Sequence, residues 1–221
     1  RIQETANYTG EAPQSVKATI AKKPVNPIIE LSGDGLTVET GGTYSYVYDG
    51  SPKEPVVTLK DENGGLIPTE EYTVTYSGNV NVGTATVTVT ARADGNYTFE
   101  NAPVTETFEI QKEKAKVITA PEAAGLSLTF NTFDQRLVTA GAASGGTMVY
   151  SVDDENGTYL PDIPTGLKAK DYTVYYKVKG DSNHSDSDVG SVVVTISPKP
   201  VTLPNIALFD ENGDPLISYI Y

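Results

Sequence analysis

The chain contains no cysteine and no tryptophan, and only one histidine and one methionine among its 221 residues. Without a thiol there is no disulfide, no thiolate nucleophile and no cysteine-ligated zinc or iron-sulfur centre, so stability must come from packing. The single histidine, His184, excludes a histidine-rich metal site and leaves a Ser-His-Asp relay only one position to run through. No Gly-x-Ser-x-Gly elbow accompanies it. Long apolar runs are missing too. No stretch approaches the ~18 residues a membrane helix needs, and no basic segment followed by an apolar one opens the chain. The segment is therefore expected neither to span a membrane nor to carry its own export signal.

Positive charge is scarce. Sixteen Lys and Arg stand against 29 Asp and Glu, a formal net charge of -13. That balance opposes general electrostatic binding to nucleic acid or to anionic membrane surfaces.

What is abundant is turn and strand chemistry: 20 Gly, 14 Pro and 14 Tyr, with heavy use of Thr and Val and 38% hydrophobic residues. The length suits two small β-domains with modest cores. A repeat supports that division. Asn7-Tyr8-Thr9 leads to Ile20, Asn96-Tyr97-Thr98 to Ile110, and Asn183-His184-Ser185 to Ile196, landmarks roughly 87–90 residues apart. GTATVTVTARADGNY, from Gly83 to Tyr97, also lies without a gap over KDYTVYYKVKGDSNH, from Lys170 to His184.

These landmarks predict four segments: residues 1–22 as the last strands of a preceding repeat, 23–112 and 113–198 as two complete modules, and 199–221 as the start of a following repeat. Ser218 to Tyr221, SYIY, echoes SYVY at Ser45 to Tyr48. Proline beside two of the joints, at Pro24 and at Pro198 and Pro200, limits bending there.

Within the modules the periodicity is two. Ala85, Val87, Val89 and Ala91 alternate with Thr84, Thr86, Thr88 and Thr90, and Tyr172, Val174, Tyr176 and Val178 alternate with Thr173, Tyr175 and Lys177. Phe108 and Ile110, and Val192, Val194 and Ile196, continue the inward faces, while the Thr face is the solvent face. Asn63-Gly64, Asp94-Gly95, Asn156-Gly157 and Asn212-Gly213 are placed as hairpin turns supplying positive φ. The expected fold is all-β: two tandem immunoglobulin-like β-sandwich modules with partial repeat strands at both ends.

The run from Tyr48 to Thr98, with its Tyr-Asp-Gly start and its Gly-Thr-Ala-x-Val-x-Val and Gly-Asn-Tyr close, resembles bacterial surface immunoglobulin-like repeats. The second module, with LTFNTFDQRLVTAGAASGGTMVYSVD and DYTVYYKVKGDSNH, is similar to a companion repeat found beside them in large exported proteins. The resemblance implies an extracellular, cell-surface or cell-wall setting and a non-enzymatic stalk with neighbouring repeats as partners. The other role it allows is an adhesin or carbohydrate-binding module for a host or bacterial surface protein or glycan. Repeats of this kind sometimes carry an internal Lys-Asn isopeptide bond. The second module departs from the first where Phe130-Asn131-Thr132 replaces Tyr48-Asp49-Gly50 and His184 replaces Tyr97.

No catalytic residue or cofactor is expected. Glu70-Glu71 and Asp153-Asp154 are the obvious carboxylate pairs, but adjacent strand residues point apart, so both read as solvated edges. Asp61, Asp153, Asp154, Asp181, Asp186 and Asp188 lie in acidic turns that offer hard oxygen ligands, which makes them the calcium candidates. Asn7, Asn96 and Asn183 read as turn asparagines bonding their own backbone. Tyr44, Tyr46 and Tyr48, two apart on one strand face, form either a sugar-stacking platform or a packing stripe.

Overall fold

A computed structural model describes residues 18–125, 127–202, 209, 211 and 212. The expectations for Asn7, for most of the two partial repeats and for the Asn212-Gly213 turn lie outside those residues. The described chain is all-β, with one short 3-10 turn at Thr69–Glu71 and no α-helix. Its contacts divide it between Glu113 and Lys114 into two compact units.

The first unit is a two-sheet sandwich. Its strands are β1 (Lys23–Val25), β2 (Ile28–Ser32), β3 (Thr37–Val38), β4 (Tyr44–Val47), β5 (Val56–Lys60), β6 (Leu66–Ile67), β7 (Tyr72–Ser77), β8 (Gly83–Ala91), β9 (Tyr97–Phe99) and β10 (Val104–Gln111). One sheet runs β3-β4-β10-β8-β7, the other β2-β5-β6, and β1 pairs with β9. Strand alternation sends Ile29, Leu31, Val57, Leu59 and Ile67 inward from the smaller sheet to meet Tyr46, Tyr72, Ala85, Val87, Val89, Phe108 and Ile110 from the larger. The threonines of β8 lie on the outer side, exposed or half-buried, as the alternation requires.

The remaining strands are β11 (Glu113–Lys114), β12 (Lys116–Thr119), β13 (Leu128–Thr129), β14 (Gln135–Arg136), β15 (Ala142–Ser144), β16 (Gly146–Val152), β17 (Thr165–Gly166), β18 (Lys170–Gly180), β19 (His184–Ser185) and β20 (Gly190–Ser197). A four-stranded sheet, β13-β20-β18-β16, supports the second unit, and the short pairs β12-β15 and β14-β17 complete it. Its core joins Leu137, Val138, Met148, Tyr150, Tyr172, Val174, Val178, Val194 and Ile196.

The two units share their strand order at the centre. β10 pairs with β8 antiparallel and with β4 parallel, and β20 pairs with β18 antiparallel and with β13 parallel. The turns divide differently from the sequence expectation. Asn63-Gly64 does join a hairpin, β5 to β6, with Gly64 at φ 82°. Asp94-Gly95 joins β8 to β9, which pairs with β1 instead, and Asn156-Gly157 lies in the long loop after β16, whose sheet partner is β18. Neither Gly95 nor Gly157 has positive φ. Asp94-Gly95 turns the chain out of its sheet, and Asn156-Gly157 lies in the wide loop that brings Leu160 back onto Tyr150 as an antiparallel bridge, so neither needs the mirror-image turn of a tight hairpin.

Candidate functional site

The six calcium candidates do not converge. Asp61 Oδ2 meets Lys23 Nζ at 2.9 Å, while its Oδ1 accepts the amides of Asn63 and Gly65 at 3.0 and 2.8 Å. Asp153 is held by Lys170 and accepts the Thr173 amide at 2.8 Å. Asp154 caps the Asn156 amide at 3.0 Å. Asp181 accepts from the Asn183 amide and faces the His184 ring, Asp186 takes Lys177 at 2.8 Å and the Gly180 amide at 3.0 Å, and Asp188 takes Lys114 at 2.6 Å. Each of these acidic turns is closed by a cation or an amide of the chain itself. Among the described residues no group of three or more ligating side chains is close enough to hold a metal ion.

Those contacts set the acidities. The Lys23 hydrogen bond, with the Gly65 amide, holds the Asp61 carboxyl below the usual carboxylate value, and Lys170 does the same for Asp153. Asp186 is lowered by Lys177 and Asp181 by the His184 ring. Asp49 is lowered by Lys53, whose ammonium lies 2.6 Å away. With Lys60 on Glu30 and Lys22 on the Arg92 and Ala93 carbonyls, seven lysines are committed to acids or backbone, none of them to an asparagine.

Glu71 departs from the solvated-edge reading. The 3-10 turn before β7 rotates it inward, where it is only 7% exposed. Its carboxylate accepts the Asn96 backbone amide at 2.5 Å and the Asn96 Nδ2 at 2.6 Å. Asn96 is therefore a cross-chain clamp and not an asparagine bonded to its own backbone. Asn183, at the matching position, donates its amide to the Asp181 side chain.

The Tyr44, Tyr46 and Tyr48 face turns toward the core, so it is not an open stacking platform. Tyr46 is 7% exposed and meets Phe108 edge-on, with ring centroids 5.5 Å apart, while Tyr44 and Tyr48 pack half-buried against the same cluster. Buried hydroxyls find backbone partners: Tyr76 donates to the Pro55 carbonyl at 2.6 Å, Tyr72 to Val57 at 3.2 Å, and Tyr172 to Lys168 at 2.9 Å. Burial pushes the phenols of Tyr46, Tyr72 and Tyr76 above their ordinary value.

His184 holds Asp181 through Nδ1 at 2.7 Å, and its ring lies over Gly145, where an added Cβ would meet Cδ2 at 2.6 Å. It is a turn and packing residue. An open cleft of about 480 Å³ in the second unit is lined by Tyr150, Ser151, Val152, Asp154, Leu160 and Ile163. Two of its polar groups serve their own loop: Ser151 Oγ donates to the Asp154 carbonyl at 2.6 Å and Asp154 caps Asn156.

One piece of local geometry recurs in both units. Tyr48 donates its amide to the Gln111 carbonyl and Phe130 to the Ser197 carbonyl, each at 2.9 Å. Asp49 then accepts the Ser51 amide at 2.8 Å, as Asn131 accepts that of Phe133 at 3.0 Å. Gly50 has φ 82° and Thr132 φ 70°. Sequence comparison alone records Phe130-Asn131-Thr132 as a departure, yet the backbone builds the same turn.

No protein-family model matches the chain, and no curated protein matches it. Among solved structures the chain is similar to the surface layer protein SbsC, domains 1-6, at 15% identity and a TM-score of 0.28. That match covers 88% of this chain and 32% of the other, so the chain spans about a third of that protein's length.

Proposed function

We propose that the chain is a non-catalytic spacer segment of a bacterial cell-surface or secreted protein. In this reading two immunoglobulin-like modules hold an adhesive or enzymatic domain at a distance from the surface that anchors it. One observation carries the reading: the carboxylates, lysines and tyrosine hydroxyls that would furnish a site are engaged in closing turns and bracing strands within each unit. What remains outside is an acidic, hydrated surface suited to keeping neighbouring stalks apart.

The topology suits tension. In the first unit the opening strand β1 runs parallel to β9, and the closing strand β10 runs parallel to β4. Force applied through the chain ends loads the bonds of such a pair together, in shear, instead of opening them one by one. Pulling single chains by their ends is expected to give two separate unfolding events, each releasing roughly 300 Å for a module of about ninety residues. A chain that extends without a resisted event would sink the proposal.

A further inference from the structure

We infer that Asn156 is a self-modification site: in the folded chain it deamidates through a cyclic imide formed with Gly157, while Asn63, in an identical tetrapeptide, is protected by its turn. This goes beyond the spacer reading and does not depend on it.

The sequence sets up the comparison. Asp-Glu-Asn-Gly stands at Asp61 to Gly64 and again at Asp154 to Gly157. A third copy, Asp210 to Gly213, falls partly outside the described residues. Glycine after asparagine leaves the following backbone nitrogen unshielded, with no Cβ to hinder its approach to the asparagine side chain. The reaction needs only water. The Gly157 nitrogen bonds to Cγ of Asn156, the bond from Cγ to the side-chain nitrogen breaks, and that nitrogen leaves as ammonia with the Gly157 amide proton. Water then opens the imide at either carbonyl, giving aspartate from one and isoaspartate from the other. The chain becomes one mass unit heavier and one charge more negative than -13.

The two sites share exposure and local form. Asn63 and Asn156 are both exposed, and each donates its amide to the aspartate two residues before it at 3.0 Å. They differ in what must break before the glycine nitrogen can swing toward Cγ. Gly64 donates to the Asp61 carbonyl at 2.9 Å, Gly65 to Asp61 Oδ1 at 2.8 Å, and the Asp61 amide to the Gly65 carbonyl at 2.8 Å. Asp61 is itself held by Lys23, and β5 pairs with β6 directly beyond the turn.

Gly157 reaches the Asp154 carbonyl only at 3.3 Å, and the chain runs on to Leu160 before it rejoins β16 at Tyr150. The Tyr159 hydroxyl braces the Glu155 carbonyl at 2.9 Å, a bond that does not involve the Asn156–Gly157 peptide. Rotating that peptide therefore costs one long hydrogen bond, whereas at Asn63 it unlocks a hairpin. Local opening of this kind sets how often a backbone group can react. Gly157 lines the cleft beside β16, so the modification recharges one wall of that cleft and leaves the pairing of β16 with β18 in place.

The test is incubation of the folded chain in mildly alkaline buffer, read by peptide mapping in the mass spectrometer and by enzymatic methylation of isoaspartate. Asn156 should convert roughly tenfold faster than Asn63, the factor that one or two extra hydrogen bonds impose. In urea at the same pH the two rates should converge, because the tetrapeptides are identical. Asp61→Ala removes the acceptor of two turn amides and should raise the Asn63 rate toward that of Asn156, in a chain whose amide NMR spectrum shows it folded. Equal rates in the folded chain, or faster conversion at Asn63, would overturn the inference. So would an Asn156 that stays intact in the folded chain while both sites react in urea. A preference for Asn156 that survives in urea, or an Asn63 rate that Asp61→Ala leaves unmoved, would overturn it too, because the protection would then not come from the turn.

Discussion

The buried carboxylate of Glu71 is gripped twice by Asn96, once by its backbone amide at 2.5 Å and once by its side-chain amide at 2.6 Å. This clamp ties the turn before β7 to the turn before β9, and Gly95 is small because a Cβ there would sit 2.5 Å from the same carboxylate. Removing Asn96 strands the buried Glu71 carboxylate, and removing Glu71 takes two hydrogen bonds from Asn96, which is itself exposed. Glu71→Ala should lower the stability of the first unit by about 1–3 kcal/mol, and Asn96→Ala should do the same. Combining them should cost less than the sum, because neither group is then left without its partner. Chemical denaturation of the three variants measures this, and full additivity would remove the clamp from the account.

Thr132 occupies, at φ 70°, the place that Gly50 fills at φ 82° in the first unit. A β-branched residue in the left-handed region is strained, and its hydroxyl contact with the Asn131 carbonyl at 2.5 Å is only a partial offset. Thr132→Gly should therefore stabilise the second unit by about 0.5–1 kcal/mol, after allowance for the greater freedom of glycine when unfolded. Gly50→Thr should destabilise the first by a similar or larger amount. Thermal melting of the two variants reads both signs.

Much of this fold was readable in the alternation of Val with Thr along β8 and of Tyr and Val along β18, because a period of two admits only one inward face. The turn repeated at Asp49 and Asn131 was half-readable: Asp and Asn share the side-chain oxygen that caps the turn, while Gly50 and Thr132 share only a backbone angle that residue identity does not reveal. Glu71 was misread as solvated because a local 3-10 turn breaks the strand phase immediately before β7. The aspartates could be placed in turns from the sequence, but their cation partners could not, because these are distant in sequence, as with Lys23 for Asp61 and Lys114 for Asp188. A turn's own composition carries no trace of the cation that closes it.

Stability should fall at both ends of the pH scale, for different reasons. Asp61, Asp153, Asp181 and Asp186 titrate below the ordinary value of 3.8 in the folded chain, so what they contribute is present above that value and lost as pH falls through their lowered pKa values. Lys23 and Lys170, raised above 10.5, and the buried Tyr46, Tyr72 and Tyr76, raised above 10.0, contribute below those values and lose it as pH rises through their raised ones. Melting temperature should thus be level between about pH 5 and pH 9.5 and decline outside that window. The ion pairs are largely at the surface, so salt should flatten the acid limb more than the alkaline one, which ionises core phenols. A melting temperature unchanged up to the pH where free tyrosine ionises fully would contradict the role given to these residues.

The parallel pair that closes each unit differs in length, and that difference predicts an order of yielding. β4 is registered against β10 over Ser45, Tyr46 and Val47, whereas β13 is registered against β20 over Leu128 and Thr129 alone. Each pair is extended by one further bond, from Tyr48 to Gln111 and from Phe130 to Ser197. Under tension these bonds break together, so the shorter pair has the lower barrier, and rupture force follows the unfolding rate and not the equilibrium stability. The second unit should open first in single-molecule pulling. Tyr48→Pro deletes the amide that bonds Gln111 and should bring the first unit's rupture force down toward that of the second, while Tyr48→Phe, which keeps the amide, should leave it high. Equal loss in both variants would mean that the Tyr48 hydroxyl, which Phe lacks, resists the force and that the parallel bonds do not.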